Sequence, residues 1–174
     1  MIIESNPLLG VIDFRNMPFT LDMKWGVVRL ALSKLAEAIE HSYKPEVVIG
    51  ILEGGQIPAR MLSKLFGLTS EFILHEYKRH YFLGKLIPEI VDRNIKSNVA
   101  GKAILLVDDF CDTGVTMKNC EEHLFDKCKI KSLRKAVIVR KVRTDAFLPD
   151  YFAYETNYPI RFPWEREEVE WNER

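Results

Sequence analysis

The sequence lacks the marks of secreted, membrane-spanning and nucleic-acid-binding proteins. Its 3 cysteines form no CxxC pair, which argues against a disulfide framework and against a thiolate zinc site. No apolar run approaches the length of a membrane span, and the opening residues lack a basic stretch followed by a long apolar one. Lysine plus arginine equals 25 and aspartate plus glutamate equals 25, so no overall positive charge attracts a polyanion. We therefore expect a cytoplasmic protein with reduced thiols that binds neither nucleic acid nor a membrane.

The chain has enough apolar material for one sizeable core. Of its 174 residues 47% are hydrophobic, which suits a single domain over residues 1–174. Short aliphatic runs alternate with stretches whose apolar residues recur every three or four positions, and this predicts an α/β fold: a mainly parallel sheet with helices on both faces. The predicted helices are Leu21–His41, Ile57–Gly67 and a segment that includes Met117 to Cys128. The predicted strands are Pro45–Ile51, Ser70–Tyr77, Lys102–Asp109, Arg134–Lys141 and Tyr151–Glu155.

The segment from Lys78 to Asn98 follows neither pattern. It is basic and aromatic without a firm period, so we predict a long mobile loop that has room for a hairpin within it. Its YKRHYF stretch could form a small nucleic-acid patch, but the neutral balance of the chain favours a lid that closes over a substrate. The final residues, 166–174, are predicted to be a charged tail.

Three carboxylates follow an aliphatic strand in the stretch VDDFCDTGVT. Ligands of open α/β sheets bind beyond the carboxyl ends of the strands, so this turn lies where a site is expected. Thr113, Gly114 and Thr116 combine backbone freedom with hydroxyl groups at a helix N-terminus, which favours a phosphate. Asp108 and Asp109 would repel a bare phosphate and would rather meet sugar hydroxyls or Mg²⁺. The turn therefore suits a ligand that carries a phosphate, a diol and a metal.

The simpler alternative is a solvated strand end followed by a helix cap, because an Asp-Asp pair and an Asp-Thr-Gly turn are each common alone. The turn is also neither a GxxxxGK[ST] loop nor a GxGxxG loop. The whole combination is more specific: VDDFCDTGVT closely resembles the signature with which type I phosphoribosyltransferases bind 5-phosphoribosyl pyrophosphate (PRPP). In that family the third acidic position varies with the acceptor, and Asp112 at that position is similar to the 6-oxopurine enzymes.

The resemblance extends to three further stretches and covers most of the chain from Met23 to Glu165. ILEGGQIPARMLSKLFG is similar to the family's pyrophosphate loop and following helix. AVIVRK, which ends at Lys141, resembles the strand that carries a purine-reading lysine. LPDYFAYETNYPIRFPWE is similar to the purine-binding hood of the xanthine-guanine enzymes. The resemblance thus implies a core over about residues 23–147 and a small C-terminal hood over about 148–165.

The resemblance also implies a role for each matching residue. Asp112 would be catalytic and accept the N7 proton of the purine as N9 attacks the ribose. Asp108 and Asp109 would bind the ribose diol, and these two with Glu165 would hold Mg²⁺, the expected cofactor. The residues implied to bind the 5′-phosphate are Cys111, Asp112, Thr113, Gly114, Val115 and Thr116. The residues implied to bind pyrophosphate are Leu52, Glu53 and Gly54, with a strained peptide near Glu53. The residues implied to bind the purine are Lys141, as a donor to O6, and Tyr158 or Ile160, as the stacking side chain.

Two positions depart from the family pattern. Glu53 stands where purine enzymes commonly carry arginine or lysine, which implies that pyrophosphate meets only the backbone there. The hood aligns with a gap, which leaves Tyr158 as the first choice for stacking and Ile160 as the second. Trp164 is expected to be a core or interface residue.

The implied function is the transfer of phosphoribose from PRPP to N9 of hypoxanthine, guanine or xanthine, for purine salvage. We expect a homodimer or a homotetramer, because relatives usually assemble in this way. Two alternatives stay open. One is an enzyme of the same fold with another nucleobase as acceptor, and the other is a PRPP-sensing regulatory protein without catalysis.

Overall fold

The fold is built around a six-stranded sheet. The computed structural model describes residues 20–80, 85–91, 95, 99–142 and 147–165. The helices in these ranges are α1 (Trp25–Ser42), α2 (Gln56–Phe66) and α3 (Val115–Asp126). The strands are β1 (Leu21–Asp22), β2 (Val47–Leu52), β3 (Ser70–His80), β4 (Lys85–Val91), β5 (Ala103–Cys111), β6 (Ser132–Lys141), β7 (Tyr151–Thr156) and β8 (Ile160–Arg161).

The main sheet has the strand order β4-β3-β2-β5-β6-β7, and all its neighbours are parallel except β3 and β4. Successive residues of a strand point to opposite faces. On β5, Leu105 and Val107 pack in the core beneath α1 and α2, whereas Ile104 and Leu106 pack in the core beneath α3. The predicted mainly parallel sheet with helices on both faces is therefore confirmed.

The first helix begins later than its amphipathic pattern predicted. The pattern favoured a start at Leu21, but α1 begins at Trp25. Leu21 and Asp22 instead pair with β8, and the N–H of Leu21 donates to the carbonyl of Pro159 at 2.8 Å. A strand partner from the far end of the chain thus overrides the local helical period.

Much of the segment predicted as a loop is strand. β3 continues to His80 and pairs antiparallel with β4, which begins at Lys85. The loop prediction over 78–98 is therefore wrong where β3 and β4 lie, although the hairpin for which that loop left room is present there. β4 is an edge strand, which tolerates Pro88 because its missing N–H breaks no central ladder. The rest of the segment, apart from Ile95, lies outside the described residues, as does the tail at 166–174.

All three cysteines are buried, and none of them forms a disulfide. Burial raises the pKa of Cys111 to about 11 and the pKa of Cys120 to about 12. Cys128 packs in the same core as the other two. The expectation of reduced thiols agrees with this arrangement, in which the cysteines pack as small apolar groups.

Candidate active site

The main sheet reverses its strand order between β2 and β5. β2 leads along the chain to β3 on one side, whereas β5 leads to β6 on the other side. Ligands of open α/β sheets bind at such a switch point, beyond the carboxyl ends of the strands. Gly50 of β2 pairs with Val107 of β5, so the residues after each lie at the same edge. The sheet therefore brings the predicted pyrophosphate loop and the acidic turn together.

Asp108 and Asp109 belong to β5 itself, which continues past its predicted end because Cys111 still pairs with Arg140 of β6. The N–H of Asp109 donates to Oδ1 of Asp108 at 2.9 Å. Burial, followed by the neighbouring charge of Asp109, raises the pKa of Asp108 well above its usual range. Burial also raises the pKa of Asp109 to about 6, and the charge of Glu165 adds to this shift. Both carboxylates are therefore short of compensating positive charge.

A cleft of about 450 Å³ lies beside Asp109. Its lining residues are Leu52, Glu53, Gly54, Gln56, Ile57, Asp109, Trp164 and Glu165. These described residues include three carboxylates and neither lysine nor arginine. The cleft also contains the first turn of α2, and the positive end of that helix dipole favours an anion. A phosphate group in this cleft would therefore depend on the helix start and on an added cation.

The turn after β2 packs tightly against β5. A Cβ atom on Gly54 would lie 2.5 Å from Oδ1 of Asp109, so a larger residue would displace that carboxylate. A Cβ atom on Gly55 would overlap the carbonyl oxygen of Val107. The peptide bond between Leu52 and Glu53 is cis, and Glu53 is exposed. The two glycines are therefore needed for the turn to meet Asp109.

A smaller pocket of about 160 Å³ lies at the start of α3. Its lining residues are Asp108, Phe110, Cys111, Asp112, Thr113, Gly114, Thr116 and Met117. The predicted phosphate residues thus lie together, and the exposed Val115 follows in the first turn of α3. Because burial keeps Cys111 a neutral thiol, it adds no charge to the pocket. The pocket combines N–H groups at a helix start with hydroxyl groups, which suits a phosphate.

The backbone at Phe147 packs against the turn at Thr113 and Gly114. The N–H of Phe147 donates to the carbonyl of Thr113 at 2.9 Å. Gly114 has a φ of +74°, and a Cβ atom there would overlap the carbonyl oxygen of Phe147. The Nζ atom of Lys118 lies 4.3 Å from the centroid of the Phe147 ring. The left-handed glycine therefore allows both the turn and the close approach of a second segment.

Asp112 and Lys141 meet beside the smaller pocket. Nζ of Lys141 donates to Oδ2 of Asp112 at 3.3 Å, and the two side chains are 35% and 47% exposed, respectively, so a ligand can reach both. Arg140 is engaged elsewhere, because it forms an ion pair with Glu155 and its Cζ lies 3.8 Å from the centroid of the Phe152 ring. Arg143 lies outside the described residues. Lys141 is thus the cation that the structure brings to the acidic turn.

The predicted hood segment contributes strands to two sheets: β7 to the main sheet and β8 to the two-stranded sheet with β1. β7, which lies in the predicted hood range, is an edge strand of the main sheet. The side chain of Ile160 packs against the core beneath α1, whereas the N–H of Tyr158 donates to Oγ1 of Thr156 at 3.0 Å. Neither Tyr158 nor Ile160 lines the large cleft or the smaller pocket described above. The choice of a stacking residue stays a prediction.

Three residues that line the large cleft were not predicted as ligand contacts: Gln56, Ile57 and Trp164. Gln56 and Ile57 directly follow a Gly-Gly pair at the start of a predicted helix, which is a usable signal for an anion site. Trp164 precedes Glu165, whose Oε2 accepts a hydrogen bond from the N–H of Phe162 at 3.3 Å. This contact fixes the turn that carries both residues into the cleft. Only the fold reveals that position for Trp164.

A switch-point cleft with an acidic strand end and a helix start that suits an anion is typical of α/β proteins that bind a phosphorylated sugar or nucleotide. The family model of the phosphoribosyl transferase domain matches residues 26–174. The chain therefore belongs to the phosphoribosyltransferase family, and the prediction of a phosphoribosyltransferase enzyme is confirmed.

Individual relatives agree with this assignment. The chain is 30% identical to the hypoxanthine-guanine phosphoribosyltransferase of Aquifex aeolicus over 152 residues, which cover 82% of this chain and 83% of the relative. The crystal structure of a purine phosphoribosyltransferase from Pyrococcus horikoshii matches with a TM-score of 0.71 at 30% identity, over 84% of this chain and 93% of that chain. The xanthine-guanine-hypoxanthine phosphoribosyltransferase of Helicobacter pylori matches with a TM-score of 0.74 at 21% identity, over 90% and 100% respectively, which bears on the fold alone.

Proposed function

We propose that the chain transfers the 5-phosphoribosyl group of PRPP to N9 of hypoxanthine, guanine or xanthine and releases pyrophosphate, as a purine salvage enzyme. The observation that carries the choice of acceptor is the Asp112–Lys141 pair, joined at 3.3 Å. N7 and O6 are neighbours on one edge of a 6-oxopurine. A carboxylate beside an ammonium matches an N7–H donor beside an O6 acceptor. An ammonium has no acceptor for the amino group of adenine.

We assign the two pockets to different parts of PRPP. The smaller pocket would take the 5′-phosphate at Thr113, Gly114 and the start of α3. Asp108 and Asp109, between the pockets, would accept hydrogen bonds from the ribose diol. The large cleft would take pyrophosphate on the backbone after β2 and at the start of α2. In this arrangement the base reaches the ribose from the side of Asp112, which would accept the N7 proton.

Mg²⁺ fits the carboxylates of the site: Asp109 and Glu165 line the large cleft, and Asp108, which lines the smaller pocket, is next to Asp109 in the chain. Asp108, Asp109 and Glu165 are hard oxygen donors, and burial raises the pKa of the first two, so a bound cation would favour their ionised form. Among the described residues there is no group of three ligands that could hold a metal by itself. Mg²⁺ commonly binds through one or two carboxylates together with substrate phosphates. These residues would therefore hold Mg²⁺ jointly with PRPP, where it neutralises charge on the departing pyrophosphate.

The test is an assay of the purified protein with Mg²⁺ and PRPP, in which hypoxanthine, guanine, xanthine and adenine are offered separately. Nucleotide and pyrophosphate should form with at least one 6-oxopurine and not with adenine. Lys141→Gln should narrow the difference in reaction rate between hypoxanthine and adenine as acceptors, because an amide offers both a donor and an acceptor. A preference for adenine would refute the role of Lys141, and PRPP binding without turnover for any base would favour the regulatory alternative.

The cellular setting and the assembly belong to the same proposal. Among the described helices, none has both the length and the apolar character needed to cross a bilayer. We propose a cytoplasmic homodimer or homotetramer whose β3–β4 hairpin closes over the site. Size-exclusion chromatography with light scattering tests the assembly, and a monomer would contradict it.

A further inference from the structure

We propose that Trp164 is a positioning residue whose indole N–H donates a hydrogen bond to the Asp109 carboxylate when PRPP binds. The inference rests on the proposed function, because PRPP is the ligand that orients Asp109. Trp164 lies in the wall of the large cleft together with Asp109 and Glu165. Its ring is therefore at the site rather than only in the core.

The indole ring is held in a fixed orientation. It stacks on Phe162, with ring centroids 4.8 Å apart and an interplanar angle of 8°. Phe162 is itself 2% exposed. The indole also contacts Trp25, with centroids 5.8 Å apart. Two aromatic contacts on one ring restrict its rotation, so the direction of the N–H bond is set before a ligand arrives.

The indole N–H is buried and has no hydrogen-bond partner among the residues that the structure describes. A buried donor without a partner is unfavourable, and most such groups in folded proteins are satisfied. The N–H lies close enough to Asp109 to lower the pKa of that carboxyl, although the two do not meet with hydrogen-bond geometry. A small reorientation of Asp109 would therefore satisfy the donor.

Gly54 limits the movement of Asp109 on one side. Its carboxylate occupies the space that a side chain at position 54 would fill, where a Cβ atom would lie 2.5 Å from Oδ1. A ribose diol that approaches from the cleft would orient the carboxylate against Gly54 and Trp164. The bond from a neutral N–H to an ionised acceptor would then form only in the complex, where it strengthens PRPP binding.

The decisive comparison is between Trp164→Phe and Trp25→Phe. Both variants keep an aromatic ring in the same cluster, but only the first removes the N–H that lies near Asp109. Isothermal titration of PRPP with Mg²⁺ should show binding weakened roughly 10- to 100-fold in Trp164→Phe, as expected for the loss of a hydrogen bond to a charged group. Trp25→Phe should bind within about 3-fold of the wild type.

A spectroscopic measurement separates the N–H from packing. In the double variant Trp25→Phe with Trp171→Phe, Trp164 is the one tryptophan left of 3. Its ultraviolet resonance Raman band that reports indole N–H hydrogen bonding should shift to the bonded position when PRPP and Mg²⁺ are added. This measurement does not depend on the folding of a Trp164 variant.

Each result has a defined meaning. A wild-type protein that binds no PRPP refutes the proposed function, and this inference with it. A wild type that binds PRPP while Trp164→Phe binds equally well refutes only the role of Trp164. Equal weakening in Trp164→Phe and Trp25→Phe, or a Raman band that does not shift, assigns the effect to the aromatic cluster and overturns the inference.

Discussion

The two pockets of the site are assembled in opposite ways. The smaller pocket is lined by residues of one continuous stretch, Asp108 to Met117. The large cleft combines the turn after β2, Asp109 of β5 and the turn at Trp164 near the end of the chain. Lys141 lies beside the acidic turn of the first pocket, whereas the described lining of the second has three carboxylates without lysine or arginine. A pocket built from one continuous stretch can thus be predicted from a sequence motif. The large cleft, which combines three distant segments, can be recognised only from the fold, and a phosphate bound there would need an added cation.

The substitution with the largest expected effect tests whether Asp112 acts on the base rather than in PRPP binding. Asp112→Asn should lower turnover with hypoxanthine about 100- to 10 000-fold, because an amide cannot accept the N7 proton. The affinity for PRPP should change little, since Asp112 would face the base in the proposed arrangement. Steady-state kinetics and isothermal titration measure the two quantities, with the exposed Asp126→Asn as the control. A loss of PRPP affinity at unchanged turnover would contradict the assignment.

Gly114→Ala should be the most destabilising change in the smaller pocket. The new Cβ would overlap the carbonyl oxygen of Phe147, and the residue would keep a φ of +74°. We expect a loss of about 3 kcal/mol in the free energy of unfolding, measured with urea. Gly67→Ala is the matched control, because its φ is +66° with no atom within 4 Å, and it should lose about 1 kcal/mol. Equal losses would show that the contact with Phe147 gives way easily.

The negative charge of Asp109 in the large cleft should lower the free energy of unfolding at neutral and higher pH. The pKa of Asp109 rises from 3.8 to about 6 on folding, so the folded state binds more protons between these values and its stability falls as the pH rises through them. Asp109→Asn should therefore stabilise the protein by about 1–2 kcal/mol at pH 8 and by less at pH 5. Urea unfolding with EDTA at both pH values measures this. A stabilisation that does not depend on pH would mean that packing is the cause.

The smallest effect concerns the acid that departs from the family pattern. Glu53→Gln should raise the affinity for PRPP with Mg²⁺ about 2- to 5-fold, because it removes a negative charge from the exposed rim of the cleft. Added salt should reduce the gain. Glu40→Gln, exposed on α1, is the control and should have no effect. An unchanged affinity in Glu53→Gln would indicate that the Glu53 carboxylate does not repel the bound pyrophosphate.

The sequence predicted those features whose partners are close along the chain. The order of strands and helices and the acidic turn followed from local periods and consecutive residues. The predictions failed where a distant segment decides the outcome. Leu21 joins a strand because β8 is available to pair with it, and the residues up to His80 join β3 because β4 lies opposite them. No period in either segment contains information about its partner.

By itself the sequence predicted an α/β chain, a turn suited to a phosphate, and the carboxylates at the end of β5 and just beyond it. Tertiary structure decided what surrounds them. Lys141 faces Asp112 because β5 and β6 pair in one register and because Glu155 engages Arg140. Gly54 and Trp164 reach Asp109 from opposite halves of the chain. The physical reason is that a strand–turn–helix motif is specified by neighbouring residues, whereas contacts across the sheet arise only when the whole core packs.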